Sequence, residues 1–139
     1  MKPLIVCLCG STRFADQHAI ERWKLERDGT YICLMINYLP AWYTEQEGWN
    51  GHEHFGEAAG CKDALDELHL RKIDLADEIL VINIGGYIGE STSREIVYAV
   101  QHGKPVRLLD PTLLPECKAR LDTMLAHNEE QRGHLEVME

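Results

Sequence analysis

A glycine-rich turn at residues 85–89 leads into hydroxyl side chains, Ser91 and Thr92, and then a carboxylate, Glu95. The apolar run before the turn, residues 79–84, reads as a buried strand, and residues 90–102 read as a helix. Strand, turn and helix in that order place backbone N–H groups, hydroxyls and a carboxylate at the carboxyl end of a sheet, where open α/β folds bind ligands. Glycine lets a ligand approach the backbone closely, and a helix N-terminus favours anions. Glu95 lies one turn into the helix, so the positive helix end is expected to keep it ionised at neutral pH. An ionised carboxylate aimed into a cleft suits nucleophilic attack on an electrophilic carbon. The same residues, Thr92-Ser93-Arg94-Glu95, also spell a capping box, in which Glu95 only bonds back to the cap amide.

A second turn, Gly10-Ser11-Thr12-Arg13, offers a backbone nest, two hydroxyls and a guanidinium suited to a phosphate or a sugar hydroxyl. Phe14 adjoins it as a further candidate substrate contact. The plainer reading is a helix N-cap by Ser11 or Thr12. Neither a Walker loop nor the dinucleotide fingerprint is present, because the Gly-Lys-Ser/Thr ending and the later glycines are missing. His69, Arg71, Lys72 and Asp74 form a polar cluster, in which His69, Lys72 and Ile73 share a helix face. Its plainer reading is a solvated face with Asp74 paired to Arg71. His52-Glu53-His54 lacks zinc-site spacing, so no metal and no cofactor is assigned.

The elements that must position these groups alternate. Residues 4–9 read as a central strand, and a helix follows from Ser11 or Thr12 to about Arg27, with Phe14, Ile20 and Trp23 as inward residues. Residues 30–36 form the second strand. Residues 61–77 form a helix with Ala64, Leu65, Leu68, Ile73 and Ala76 inward, and residues 78–84 the third strand. Residues 105–109 are the fourth strand, and a last helix runs from residues 110–112 to about His127. Between strand 2 and the second long helix, residues 37–60 hold Tyr38, Trp42, Tyr43, Trp49 and Phe55 among glycines, which reads as a pocket wall, a lid or an oligomer contact.

Alternating strands and helices predict an α/β fold: a flavodoxin-like, doubly wound, mostly parallel sheet of four to five strands with helices on both faces. The order 2-1-3-4 puts the turns after strands 1 and 3 on one crevice. The 139 residues are expected to form one domain over 1–127 with a polar tail over 128–139. A net charge of −9 argues against a nucleic-acid duplex as partner. Five cysteines without CxxC spacing read as free thiols in a cytoplasmic protein, with Cys7, Cys9 and Cys33 as core residues. No apolar run is long enough for a membrane span.

Leu8-Cys9-Gly10-Ser11-Thr12-Arg13 resembles the first-strand signature of the nucleoside 2-deoxyribosyltransferase superfamily, which includes nucleotide N-glycosidases. Residues 92–99 are similar to its Gly-Thr-x-x-Glu-x-Gly-Tyr-Ala segment, and residues 70–83 to the helix and strand before it. The resemblance spans about residues 4–110. It implies that Glu95 is the nucleophile, that Gly10, Ser11 and Arg13 lie on the sugar or phosphate side, and that relatives act as dimers or larger homo-oligomers. With Thr12, Phe14, Gly89, Ser91 and Thr92 these make the expected substrate contacts. His69 stands where relatives often carry an aspartate, and Ser91, Ser93 and Val97 stand where glycines are common. His69, whose ordinary pKa lies near neutrality, is the candidate proton donor to a leaving base. The implied activity is N-glycosidase action on a nucleoside 5′-monophosphate. The alternatives are a deoxyribosyl transferase and a nucleotide-binding sensor without turnover.

Overall fold

The computed structural model describes residues 2–49 and 55–132, with side chains through Asn128. The expectations for His52, Glu53 and His54 and for the end of the tail lie outside these residues. The described chain folds as β1 (Leu4–Cys9), α1 (Ala15–Glu26), β2 (Tyr31–Leu34), α2 (Ala41–Gln46), α3 (Phe55–Ala58), α4 (Lys62–Leu75), β3 (Glu78–Val81), α5 (Glu90–Gln101), β4 (Val106–Leu108) and α6 (Pro115–Arg132). The four strands pair in parallel in the order β2-β1-β3-β4. This is the flavodoxin-like doubly wound arrangement.

Alternation along the strands divides the core in two. Val6, Leu8, Cys33, Leu80 and Ile82 form one buried cluster, which Phe14 and Leu25 cover from the α1 side. Cys7, Cys9, Ile79, Val81, Val106 and Leu108 belong to the other, beneath Ile73 of α4, Ile96 of α5 and Leu121 of α6. Register pairs Cys7 with Ile79 and Cys9 with Val81, so the last two odd residues of β1 sit at the centre of the sheet.

Two helices present a different face from the one expected. Ile20 and Trp23 of α1 are exposed, at 50% and 62% of their surface, whereas Ala15 and His18 are buried. A 3-10 turn over Thr12–Phe14 precedes the helix and sets its phase, and His18 takes the inward position. Residues two apart on a helix point to nearly opposite sides, so a helix that buries His18 exposes Ile20. On α4, Ala64 and Leu68 are exposed while His69 and Ile73 are buried. The N-terminal half of α4 borders a cleft rather than the core, which is why its inward stripe is polar. β1 spans its whole expected run, whereas β2, β3 and β4 are two or three residues shorter than theirs. α6 starts at Pro115, after Asp110 Oδ1 has accepted a hydrogen bond from the Thr112 amide.

The turn after β3 is clasped to the end of β4. Asn83, fully buried, donates through Nδ2 to the Asp110 carbonyl at 2.8 Å and accepts from the Asp110 amide at 2.8 Å. Gly86, at φ +80°, lies so close to the chain ahead of α6 that a Cβ there would stand 2.7 Å from the Thr112 oxygen. Gly86→Ala is therefore expected to destabilise the fold by about 2–4 kcal/mol, combining a left-handed backbone penalty with a backbone collision. Urea denaturation measures this, and a loss under about 1 kcal/mol would show that the turn relaxes freely.

Candidate active site

The turns after β1 and β3 meet across the switch point between those strands and form the mouth of a cleft of about 390 Å³. Gly10, Ser11 and Thr12 line one side, and Gly89, Ser91 and Thr92 the other, with Glu95 and His69 deeper. Phe55 and Asn37 close it from the segment between β2 and α4. A broader hollow of about 440 Å³ beside α6 shares Asp66, Ser91, Arg94 and Glu95 with it but lacks the Gly10 turn and His69.

Gly10 sits against the end of β3: a Cβ there would meet the Ile82 carbonyl oxygen at 2.7 Å and His18 Nε2 at 2.9 Å. Only glycine lets the turn lie so close to the neighbouring strand. Ser11 has extended backbone angles, and its Oγ accepts a hydrogen bond from the Arg13 amide at 3.2 Å, so it caps the 3-10 turn while also lining the cleft. Arg13 and Phe14 leave the cleft. The Arg13 guanidinium stacks 4.2 Å over the Tyr87 ring, and Phe14 meets the same ring edge-on at 6.2 Å.

α5 begins after Gly89, which has no side-chain cap, so Glu95 is the sixth helical residue rather than the third. The capping-box reading therefore fails, because a carboxylate that far in cannot reach back to the cap amide. The expected ionisation by the helix end also gives way. Burial dominates and pushes the Glu95 carboxyl up to about 7, against the pull of His69. Its side chain is 14% exposed.

His69, one helical turn before Ile73 on α4, points its Nε2 at Glu95 Oε1 across 3.8 Å. The same nitrogen lies 3.6 Å from Cys7 Sγ and 3.4 Å from Cys9 Sγ. Burial alone would lower the His69 pKa. The Cys7 thiol and the Glu95 carboxylate outweigh it and raise the value overall. The Cys9 thiol donates toward Cys7 and lowers the Cys7 pKa to about 6, with burial opposing and His69 assisting. Cys9 itself is held well above the ordinary range by that hydrogen bond and by burial.

Charges of both signs rim the cleft. Lys62 pairs with Asp66 at 2.6 Å and Arg94 with Glu90 at 2.9 Å, whereas Lys72 Nζ donates to the Met35 carbonyl at 2.7 Å. Arg71 and Asp74 do form the surface pair, at 3.2 Å, with Tyr98 bridging them. Of the aromatic residues described between 37 and 60, Phe55 lines the cleft. Tyr38 bonds Asp16 instead, and Trp42 is 66% exposed.

The residues that sequence reasoning passed over are Cys7 and Cys9, read as core thiols, and the α4 stripe Lys62, Leu65 and Asp66. Both left a signal. Cys-x-Cys in a strand places two thiols on one face, and the 62, 65, 66, 69, 72 spacing marks one side of a helix. The fold and site define an α/β protein with a buried carboxyl–imidazole pair at its topological switch point. Comparison with protein-family models, with curated proteins and with solved structures returns no match to this chain.

Proposed function

We propose that the cleft cleaves the N-glycosidic bond of a nucleoside 5′-monophosphate by way of a glycosyl ester on Glu95. The observation that carries this reading is the Glu95–His69 pair at 3.8 Å, below a rim made by both strand-end turns. The reactive form has an ionised Glu95 and a protonated His69, and the two titrate as one unit. A Glu95 oxygen attacks C1′ while the C1′–N bond breaks and its electron pair stays on the base. His69 Nε2 supplies the proton that the departing base needs. Water then attacks C1′ of the ester, freeing the carboxylate, and its proton returns to His69, as in a retaining glycosidase. In this reading the Ser11 and Ser91 hydroxyls and the first amides of α5 hold the phosphate and Phe55 stacks on the base, and these residues all line the cleft.

The test is to incubate pure protein with nucleosides and their 5′-monophosphates and to chromatograph the products. Free base and a pentose phosphate are expected from at least one monophosphate. Base exchange that requires a second free base would identify a deoxyribosyl transferase instead. The raised Glu95 carboxyl favours one other reading, a sensor that holds the nucleotide without turnover. A nucleotide that raises Tm yet stays intact would point to it.

A further inference from the structure

We propose that Cys7, Cys9 and His69 ligate a zinc ion, with its fourth position open to the cleft. Sγ of Cys7, Sγ of Cys9 and a ring nitrogen of His69 all lie within 4.8 Å of one another, and all three residues are buried. Zinc bond lengths to sulfur and imidazole nitrogen fix the S···N edge of a tetrahedral site at about 3.5 Å. The two edges in this cluster measure 3.6 and 3.4 Å, both to Nε2. Glu95 Oε1 stands 3.8 Å from the same nitrogen but outside that cluster, so the fourth position is left to a water molecule from the cleft.

The fold builds this arrangement from two rigid elements. Cys7 and Cys9 project from one face of the central strand β1, and His69 descends on them from α4. Core thiols usually have apolar neighbours, whereas each of these has an imidazole nitrogen beside it. Two sulfurs and one imidazole in a tetrahedral array select zinc over the hard cations, which take oxygen ligands. The ion has a way in, because His69 and Glu95 line the open cleft. On binding, both thiols release their protons to solvent and the two thiolates balance the divalent charge.

The site is independent of glycosidase chemistry in its formation, but the two functions compete. A bound ion takes the Nε2 lone pair, so His69 has no proton to give a leaving base and the metal-loaded form cannot carry out the steps proposed above. That consequence rests on the glycosidase reading, and the metal site itself does not.

The test uses the full chain, stripped with a chelator and titrated with Co²⁺ as a spectroscopic probe. One equivalent is expected to give thiolate-to-cobalt charge-transfer absorption and the intense visible bands of a four-coordinate ion, and Zn²⁺ should displace it. Cys7→Ser or Cys9→Ser is expected to weaken binding by at least about 100-fold. Cys61→Ser, which alters an exposed thiol outside the cluster, should change nothing. A parallel measurement needs no variant: Zn²⁺ should protect Cys7 and Cys9 from alkylation, as mapped by peptide mass spectrometry. The proposal is overturned by absence of charge-transfer absorption, by its survival in the Cys7→Ser/Cys9→Ser double variant, or by alkylation of those thiols regardless of Zn²⁺. None of these readouts requires turnover, so failure of the glycosidase assay leaves them intact.

Discussion

Glu95→Gln protein, freed of metal, is expected to lose at least about 10³-fold in base release while becoming more stable than the parent at pH 8. The activity loss follows because an amide cannot form the glycosyl ester. The stability gain follows from linkage. In the unfolded chain the carboxyl ionises near 4.5, and in the folded protein burial delays this to about 7. Below pH 4.5 both states are protonated and the group costs the fold nothing. As pH rises from 4.5 through 7, the unfolded state gives up its proton first and the folded state is penalised. Above pH 7 the penalty is complete, about 3 kcal/mol at most. Glutamine has no proton to lose, so the variant should recover about 2 kcal/mol of this at pH 8 and little at pH 5. Cys7, Cys9, His69, Asp66 and Arg94 are the charged or titratable groups acting on Glu95, and all are unchanged in the variant. Urea denaturation at the two pH values provides the measurement. A gain of equal size at both would show a packing effect and refute the burial argument. Activity that survives in the variant would remove Glu95 from the nucleophile's role.

Acid sensitivity is expected to reside in His18. This side chain is fully buried beneath the Gly10 turn, and neither ring nitrogen completes a hydrogen bond among the described residues. Burial depresses its pKa from 6.5 to about 4. The positive charge of His69 adds to the depression, and the nearby backbone of Ser11 and Gly10 opposes it weakly. The unfolded chain therefore takes up a proton as pH falls below 6.5, while the folded protein resists until about 4. Stability falls through that window by up to about 3 kcal/mol. Glu95 tilts stability the other way between 4.5 and 7, so in the parent protein the two slopes largely offset each other. Single variants separate them. His18→Leu should flatten the acid side and leave the Glu95 slope, so that protein becomes relatively more stable toward pH 5. Glu95→Gln should unmask the His18 slope and become acid-labile. If Leu disturbs the turn, His18→Gln removes the titration while keeping a polar side chain. Denaturation curves at several pH values between 4 and 8 read the slopes directly, and an unchanged slope in both His18 variants would refute this assignment.

Much of the fold was legible because its signals are local. The apolar run of β1 ends at Gly10, the run of β3 ends before Gly85, and Gly103 closes α5 at φ +71°. Those breaks do not depend on distant contacts. Helix phase was less legible. Hydrophobicity alone favoured Ile20, Trp23 and Leu68 as inward residues, but the faces that turned in carry His18 and His69. A polar residue on an inward face reads as a mismatch until the cleft it borders is known. The turn pair at the mouth was legible through topology, because the 2-1-3-4 order forces the ends of β1 and β3 together. The directions of Arg13 and Phe14 were not, because Tyr87, far along the chain, captures both.

The sequence by itself determined the alternation of strands and helices, the parallel order, and the meeting of Gly10–Thr12 with Gly89–Thr92, because periodicity and glycine punctuation act within a few residues. Tertiary structure alone decided that Cys7, Cys9, His69 and Glu95 converge, and that Glu95 is raised toward neutrality rather than held ionised. Those four side chains come from three elements up to 88 positions apart, and the environment of each is made by the others. A carboxyl's pKa depends on the solvent and charge around it, and no local pattern in the chain encodes either.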